Sequence, residues 1–415
     1  MYLVIPRVAR TWIAFFGVTA FGCAANTPAN EEPSAGHDSV SAAAPPEDDS
    51  LCAPSHPPDG SVIWKRDLGA LGEDLGPASV AADRAGNAFH ARPDVGTARV
   101  DARGNVVWQK SGGTAITVDR SGNVYLADHT TVSKLDADGK VVWSREIASS
   151  GAAQSIAASS DGALLVSGAK LGTVRLDAQG NVVWSKAFGG HVAFGADGAA
   201  LVTGYFFGTV DFGHGPATSR GRSDAFVASL APDGAYQWSL VIGDADLPIE
   251  RPSGGSVTEP SDQLGEAIAA APNGDVLVAG LAVDSVKLFG ENIATPFSED
   301  AGVLPLAFVA RFDKSGTVLW SKREDAVRDV RGIASDAQGN MILSGGLVGN
   351  VPPKARTWIE KFDPSGTLTW RHEQSFGVGF GDAVTTDRCG NIFFSVTASE
   401  VAGEKVHSVL YKLRR

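Results

Sequence analysis

Two short phrases, each occurring seven times, predict an all-β chain folded as a seven-bladed β-propeller of four-stranded antiparallel blades. One ends in Trp after an Asp-x-x-Gly turn or a relic of it, as in VSKLDADGKVVWSREI (Val132 to Ile147). The other is an apolar stretch, a turn and a second apolar stretch, as in ITVDRSGNVYLA. A third observation concerns the ends. The folded part opens with DGSVIWKR, a lone fourth strand, and closes with VHSVLYKLRR, a third strand lacking its partner. The ring is therefore expected to close by the N-terminal strand joining the last blade, which removes the exposed edges of an open array.

Residues 1–22 read as an export signal, because Arg7 and Arg10 precede TWIAFFGVTAFG, an apolar run too short for a comfortable membrane span. Residues 23–58 are rich in Pro, Ala, Ser and acidic side chains. They cannot bury enough apolar surface to offset ordering entropy, so a disordered tether is expected. The propeller then spans 59–415.

Each phrase encodes a hairpin. Asp at the turn start bonds the backbone two residues on, and Gly supplies the positive φ of a short β-connection. The flanking Val, Ile, Leu and Trp form runs too short for helices. The repeated Trp64, Trp108, Trp143, Trp184, Trp238, Trp320 and Trp370 recur at a period of 35 to 82 residues. They are read as packing between sheets. In one register the first strands carry Ser79, Ala115, Ser155, His191, Ala267, Gly332 and Ala383, small residues that fit a crowded axis, with His191 the exception. The turn after a first strand and the turn before a fourth strand lie on one face. Cys389 and Cys52 are therefore expected as neighbours and as a disulfide, against the alternative of two free thiols.

A net charge of −12 without any cluster of Lys and Arg excludes a nucleic-acid partner. No haem-attachment, phosphate-cradling, HExxH or GxSxG signature is present, and the eight His residues show no metal-ligand spacing, so neither cofactor nor metal is expected.

Cys23 within TAFGC resembles a bacterial lipoprotein processing site, with Ala20 and Phe21 where that family carries Leu and a small residue. The resemblance implies lipidation at Cys23; cleavage without lipid or an uncleaved anchor are the alternatives. LDADGKVVWS resembles the tryptophan-containing repeat of quinoprotein-like propellers. GTVDFGHGPATSRGRSDAFVASLAPDGAYQWSLVIG is similar to the propeller repeats of exported bacterial proteins, lipoproteins among them. What the resemblance implies is a fold that hosts unrelated functions.

All the long connections join strands two to three or link blades, so they crowd one face, where such rings usually carry binding sites. At the channel mouth on that face stand Gln154, His191, Glu266, Arg331 and Asp382, read either as a polar pocket or as a solvated rim. Phe206, Phe207, Phe289 and Phe297 could add apolar contact or pack inward. The expected protein is an exported, monomeric, non-catalytic scaffold tethered to a membrane, binding an envelope protein or an extracellular glycan. The alternative is an enzyme, quinone-dependent or glycan-cleaving through Glu266 and Asp382.

Overall fold

The computed structural model describes residues 60–72, 76–243, 262–283, 306–323, 328–347, 355–376, 378–399 and 405–415, with short strand segments between them at 248–250, 256–258, 285–288, 291–294, 297–298 and 302–303. The expected signal, the tether, Cys23 and Cys52 lie outside the described residues. The repeats form seven four-stranded antiparallel sheets arranged as a propeller, and no helix occurs among the described residues. Blades 1 to 6 run through 79–110, 115–146, 155–186, 191–242, 262–323 and 328–376. Blade 7 takes Val378–Thr386, Ile392–Ser399 and His407–Leu413 from the C-terminus, and Val62–Ala70 completes it as the outermost strand. That is the closure the two chain ends predict.

The turns follow from the repeated Asp-x-x-Gly-Asn. In the Asp119 turn, Oδ1 accepts the N–H groups of Ser121 and Asn123 at 2.9 Å each, while Asn123 Nδ2 donates to Oδ2 at 2.7 Å. The Gly122 N–H then closes the turn on the Asp119 carbonyl. One aspartate thus satisfies the donors that a tight connection would otherwise leave bare.

Seven apolar clusters hold the ring, each shared by two neighbouring blades. Leu201 and Val227 of blade 4 pack with Val276 and Phe308 of blade 5, and Phe393 and Leu410 of blade 7 pack with Ala88 and Val100 of blade 1. The repeated Trp residues seal the same joints nearer the rim. Each ring lies against the turn glycine of the following blade, so that a methyl group placed there would come within 2.6 to 3.2 Å of it. The indole N–H of Trp184 donates to Pro232 O at 3.0 Å, and that of Trp238 to Lys314 O at 2.9 Å.

Opposite faces of the ring differ sharply. Both kinds of tight turn emerge on one face. On the other, blades 1 to 3 join strands two and three tightly, whereas blade 4 inserts a hairpin, Thr209–Asp211 with Pro216–Thr218, and blade 5 inserts two. Among the described residues, the long-loop face is therefore built up over blades 4 and 5.

Candidate functional site

The inner strands keep one register around the ring. Ser79, Ala115, Ser155, His191, Ala267, Gly332 and Ala383 each pair with the residue twelve positions later. In blades 5, 6 and 7 that strand runs on towards the long-loop face, and the extension begins with a β-bulge. The residues skipped by the pairing are Glu266, between Gly265 and Ala267, Arg331, between Val330 and Gly332, and Asp382, between Gly381 and Ala383. A bulge turns one side chain out of the alternation of its strand. Three successive blades use it to bring a charged residue to the same level of the channel mouth.

Close approach of the blades fixes this level. A methyl on Gly265 would lie 2.8 Å from the Gly204 carbonyl oxygen, and one on Gly381 2.6 Å from that of Gly345. Side-chain-free backbone is needed where the blades converge.

Below the mouth the charges are paired. Arg92 from blade 1 is fully buried, and its Nη1 donates to Asp382 Oδ2 at 2.8 Å and to Thr397 Oγ1 at 2.6 Å. Thr397 Oγ1 in turn donates to Asp382 Oδ2 at 2.6 Å. Burial pushes the Asp382 carboxyl up, and the two arginines and Thr397 oppose that shift. Asp382 is therefore a support beneath the site rather than a surface contact, because its side chain is only 1% exposed.

Arg331 stands above it, 36% exposed, with Nε donating to Asp329 Oδ2 at 2.6 Å and Nη1 at 4.0 Å from Asp382 Oδ1. Glu266 is half-buried beside this pair. Burial first, and then the Asp329 carboxylate, pushes its acid group up to about 7, against the pull of Arg331. Glu266 is thus poised between a donor and an acceptor at neutral pH.

An exposed aromatic pair lies near this group, with Tyr205 in electrostatic reach of Glu266. Tyr205 and Phe207 are 37% and 58% exposed, and their rings meet edge to face at 5.7 Å. The fields of Glu266 and Asp262, after burial, raise the Tyr205 phenol. Phe206 between them faces the other way, packing on Phe212 and Phe226. Asp262 is clasped by Arg222, whose Nε donates at 2.9 Å, and by Ser223 Oγ at 2.7 Å, which ties the blade 4 insertion to blade 5. Phe289 lies outside the described residues; of Phe297 only its place in the strand Phe297–Ser298 is described.

The other two residues expected at the mouth make no ion pair with the charged group among the described residues. Gln154 is exposed, but its Oε1 accepts the Ala169 N–H at 2.9 Å and so caps its own blade. His191 opposite Thr203 is half-buried, and burial lowers it to about 4, so it is neutral at physiological pH. Asp329, Arg92, Thr397 and Tyr205 are members that the sequence pattern did not single out. Cys389 is disulfide-bonded. Among the described residues, no group of three or more His, Cys, Asp or Glu is placed to hold a metal ion.

No family model matches the chain, and no curated protein does. Solved structures with a similar arrangement include virginiamycin B lyase from Staphylococcus aureus, at 10% identity and a TM-score of 0.49, covering 85% of this chain and 99% of that one. Quinohemoprotein alcohol dehydrogenase from Comamonas testosteroni is similar at 12% identity and a TM-score of 0.46, covering 85% of this chain and 76% of that one. At such identity no activity transfers.

Proposed function

We propose that the protein is a non-catalytic binding scaffold of the bacterial cell envelope, exported and tethered through Cys23, which takes an extracellular glycan or an envelope protein at its long-loop mouth. The observation that carries this reading is the exposed Tyr205–Phe207 pair, whose Tyr205 lies within electrostatic reach of Glu266, itself within reach of Arg331. Aromatic faces next to a carboxyl group and a guanidinium offer stacking and directed hydrogen bonds to a polar ligand. A glycan uses both kinds of contact.

One feature favours hydrolysis as the second reading, since a carboxyl group titrating near 7 is what a general acid requires. Glycoside cleavage needs a second carboxylate facing the substrate. Asp382 is covered and bound by Arg92 and Thr397, and Asp329 is 6% exposed and bound by Arg331. Neither is free to act, which favours binding over turnover.

The test is to incubate the full chain with surface polysaccharides and with envelope extract, measuring both saturable binding and released reducing ends. Binding without release, weakened in Tyr205→Ala and Arg331→Gln, supports the scaffold. Release that disappears in Glu266→Gln would overturn it in favour of the enzyme.

A further inference from the structure

The opposite mouth of the channel holds a cavity of about 380 Å³ that the scaffold reading does not use. It is open to solvent on the tight-turn face and lies between the ends of the inner strands of blades 4 to 7. Its wall is mostly small and apolar, including Ala196, Ala271 and Ala337. Three charged residues reach it: Asp336, Asp387 and Arg388. Two of them are already neutralised. Asp336 accepts from Gln338, Asn340 and Lys361, the last at 2.9 Å. Asp387 accepts from Cys389 and Asn391, with Lys412 Nζ at 3.6 Å.

Arg388 is different. Its guanidinium makes no hydrogen bond or ion pair among the described residues, although Nε is shielded from solvent. Arg388 is itself half-buried, and an Nε–H buried without an acceptor forfeits a hydrogen bond, so the fold leaves this side chain unsatisfied. Sequence position adds to the charge. Asp387-Arg388-x-Gly-Asn in blade 7 is repeated as Asp83-Arg84-x-Gly-Asn in blade 1 and Asp119-Arg120-x-Gly-Asn in blade 2. The equivalent turn residues of blades 3 to 6 are Ser160, Ala196, Pro272 and Ala337, all uncharged. Three consecutive blades thus present arginine at one turn position on this face, beginning at the edge of the cavity. The disulfide at Cys389 fixes the turn that carries Arg388.

We propose that the tight-turn mouth is a binding site for a small anionic group, a carboxylate or phosphate, held by Arg388 against the apolar wall. The inference is independent of the long-loop site. A volume near 380 Å³ suits a small metabolite or a single headgroup better than a polymer. Guanidinium pairs with carboxylate and phosphate through two parallel hydrogen bonds, which a lone ammonium cannot reproduce.

The experiment is calorimetric titration of the full chain with inorganic phosphate and with succinate at constant ionic strength, alongside Arg388→Gln and Arg388→Lys. Vesicles containing phosphatidic acid form a third arm, which distinguishes a lipid headgroup from a free anion. The site predicts saturable binding of at least one probe, weakened about tenfold or more in Arg388→Gln and partly restored in Arg388→Lys, with unchanged melting temperatures. Absence of saturable binding in all three arms, or equal affinity in Arg388→Gln, would overturn it.

Discussion

The joint between blades 4 and 5 permits a quantitative test of how the repeats lock together. Gly316 sits in the turn of blade 5 at φ +86°, and a methyl group there would come within 2.6 Å of Cδ2 of Trp238. Gly316→Ala therefore carries two costs: left-handed backbone, worth about 1–2 kcal/mol for a residue with Cβ, and overpacking against the indole, worth about 1–3 kcal/mol. The total should be about 3 kcal/mol. Trp238→Ala should itself cost about 3 kcal/mol, through lost packing on Val276 and Phe312 and the lost hydrogen bond to Lys314 O. In the double variant the clash is gone while the backbone cost stays. A coupling of about 2 kcal/mol is the expected result, read from urea-unfolding midpoints at equal slopes. Additivity within about 0.5 kcal/mol would refute the docking of Trp on the turn glycine.

Three further outcomes follow from the mouth and the ring closure. Asp382→Asn leaves Arg92 buried without a counter-charge and should cost about 3–5 kcal/mol, whereas Arg331→Gln, at a partly exposed site, should cost about 1 kcal/mol; thermal melting of both variants checks the order. Glu266 keeps its proton up to about 7 in the folded chain and releases it near 4.5 when unfolded. Its contribution is therefore complete below pH 4.5 and is lost as pH rises towards 7. Glu266→Gln should remove that fall between pH 4.5 and 7, and parallel stability curves for the two proteins would contradict the placement. Reduction of the disulfide at Cys389 should lower the melting temperature of the full chain. With the proposed partner Cys52 the loop exceeds 300 residues, worth about 5 kcal/mol at most. A peptide map of the unreduced protein lacking a Cys52–Cys389 peptide would reject that pairing.

Most of the architecture was legible because it is written in short-range chemistry. Each Asp-x-x-Gly turn, each small inner residue and the two unpaired end strands carry their meaning within about ten residues. The mouth was legible only in part. Glu266, Arg331 and Asp382 could be placed at one level from the inner register, but a bulge is a single extra residue that leaves no mark when strand lengths already vary. Arg92 lies 290 positions from Asp382, and no local pattern announces such a contact. At Tyr205, Phe206 and Phe207 the period of two divides the aromatic residues, sending Phe206 into the core and leaving its neighbours exposed. Side-chain hydropathy alone gives all three the same reading. The Val-Val pairs before Trp108, Trp143 and Trp184 show the same limit: apolar and strand-forming, they are nonetheless 41–59% exposed on the outermost strands.

The proposed function rests on binding, without turnover, at the long-loop mouth. The most direct measurement is binding of the full chain to an array of bacterial surface glycans and to separated envelope proteins, beside a Tyr205→Ala, Arg331→Gln variant assayed well below its own melting temperature. Saturable retention by the parent and its loss in the variant is the predicted result. Equal retention by both would contradict the placement of function at this mouth.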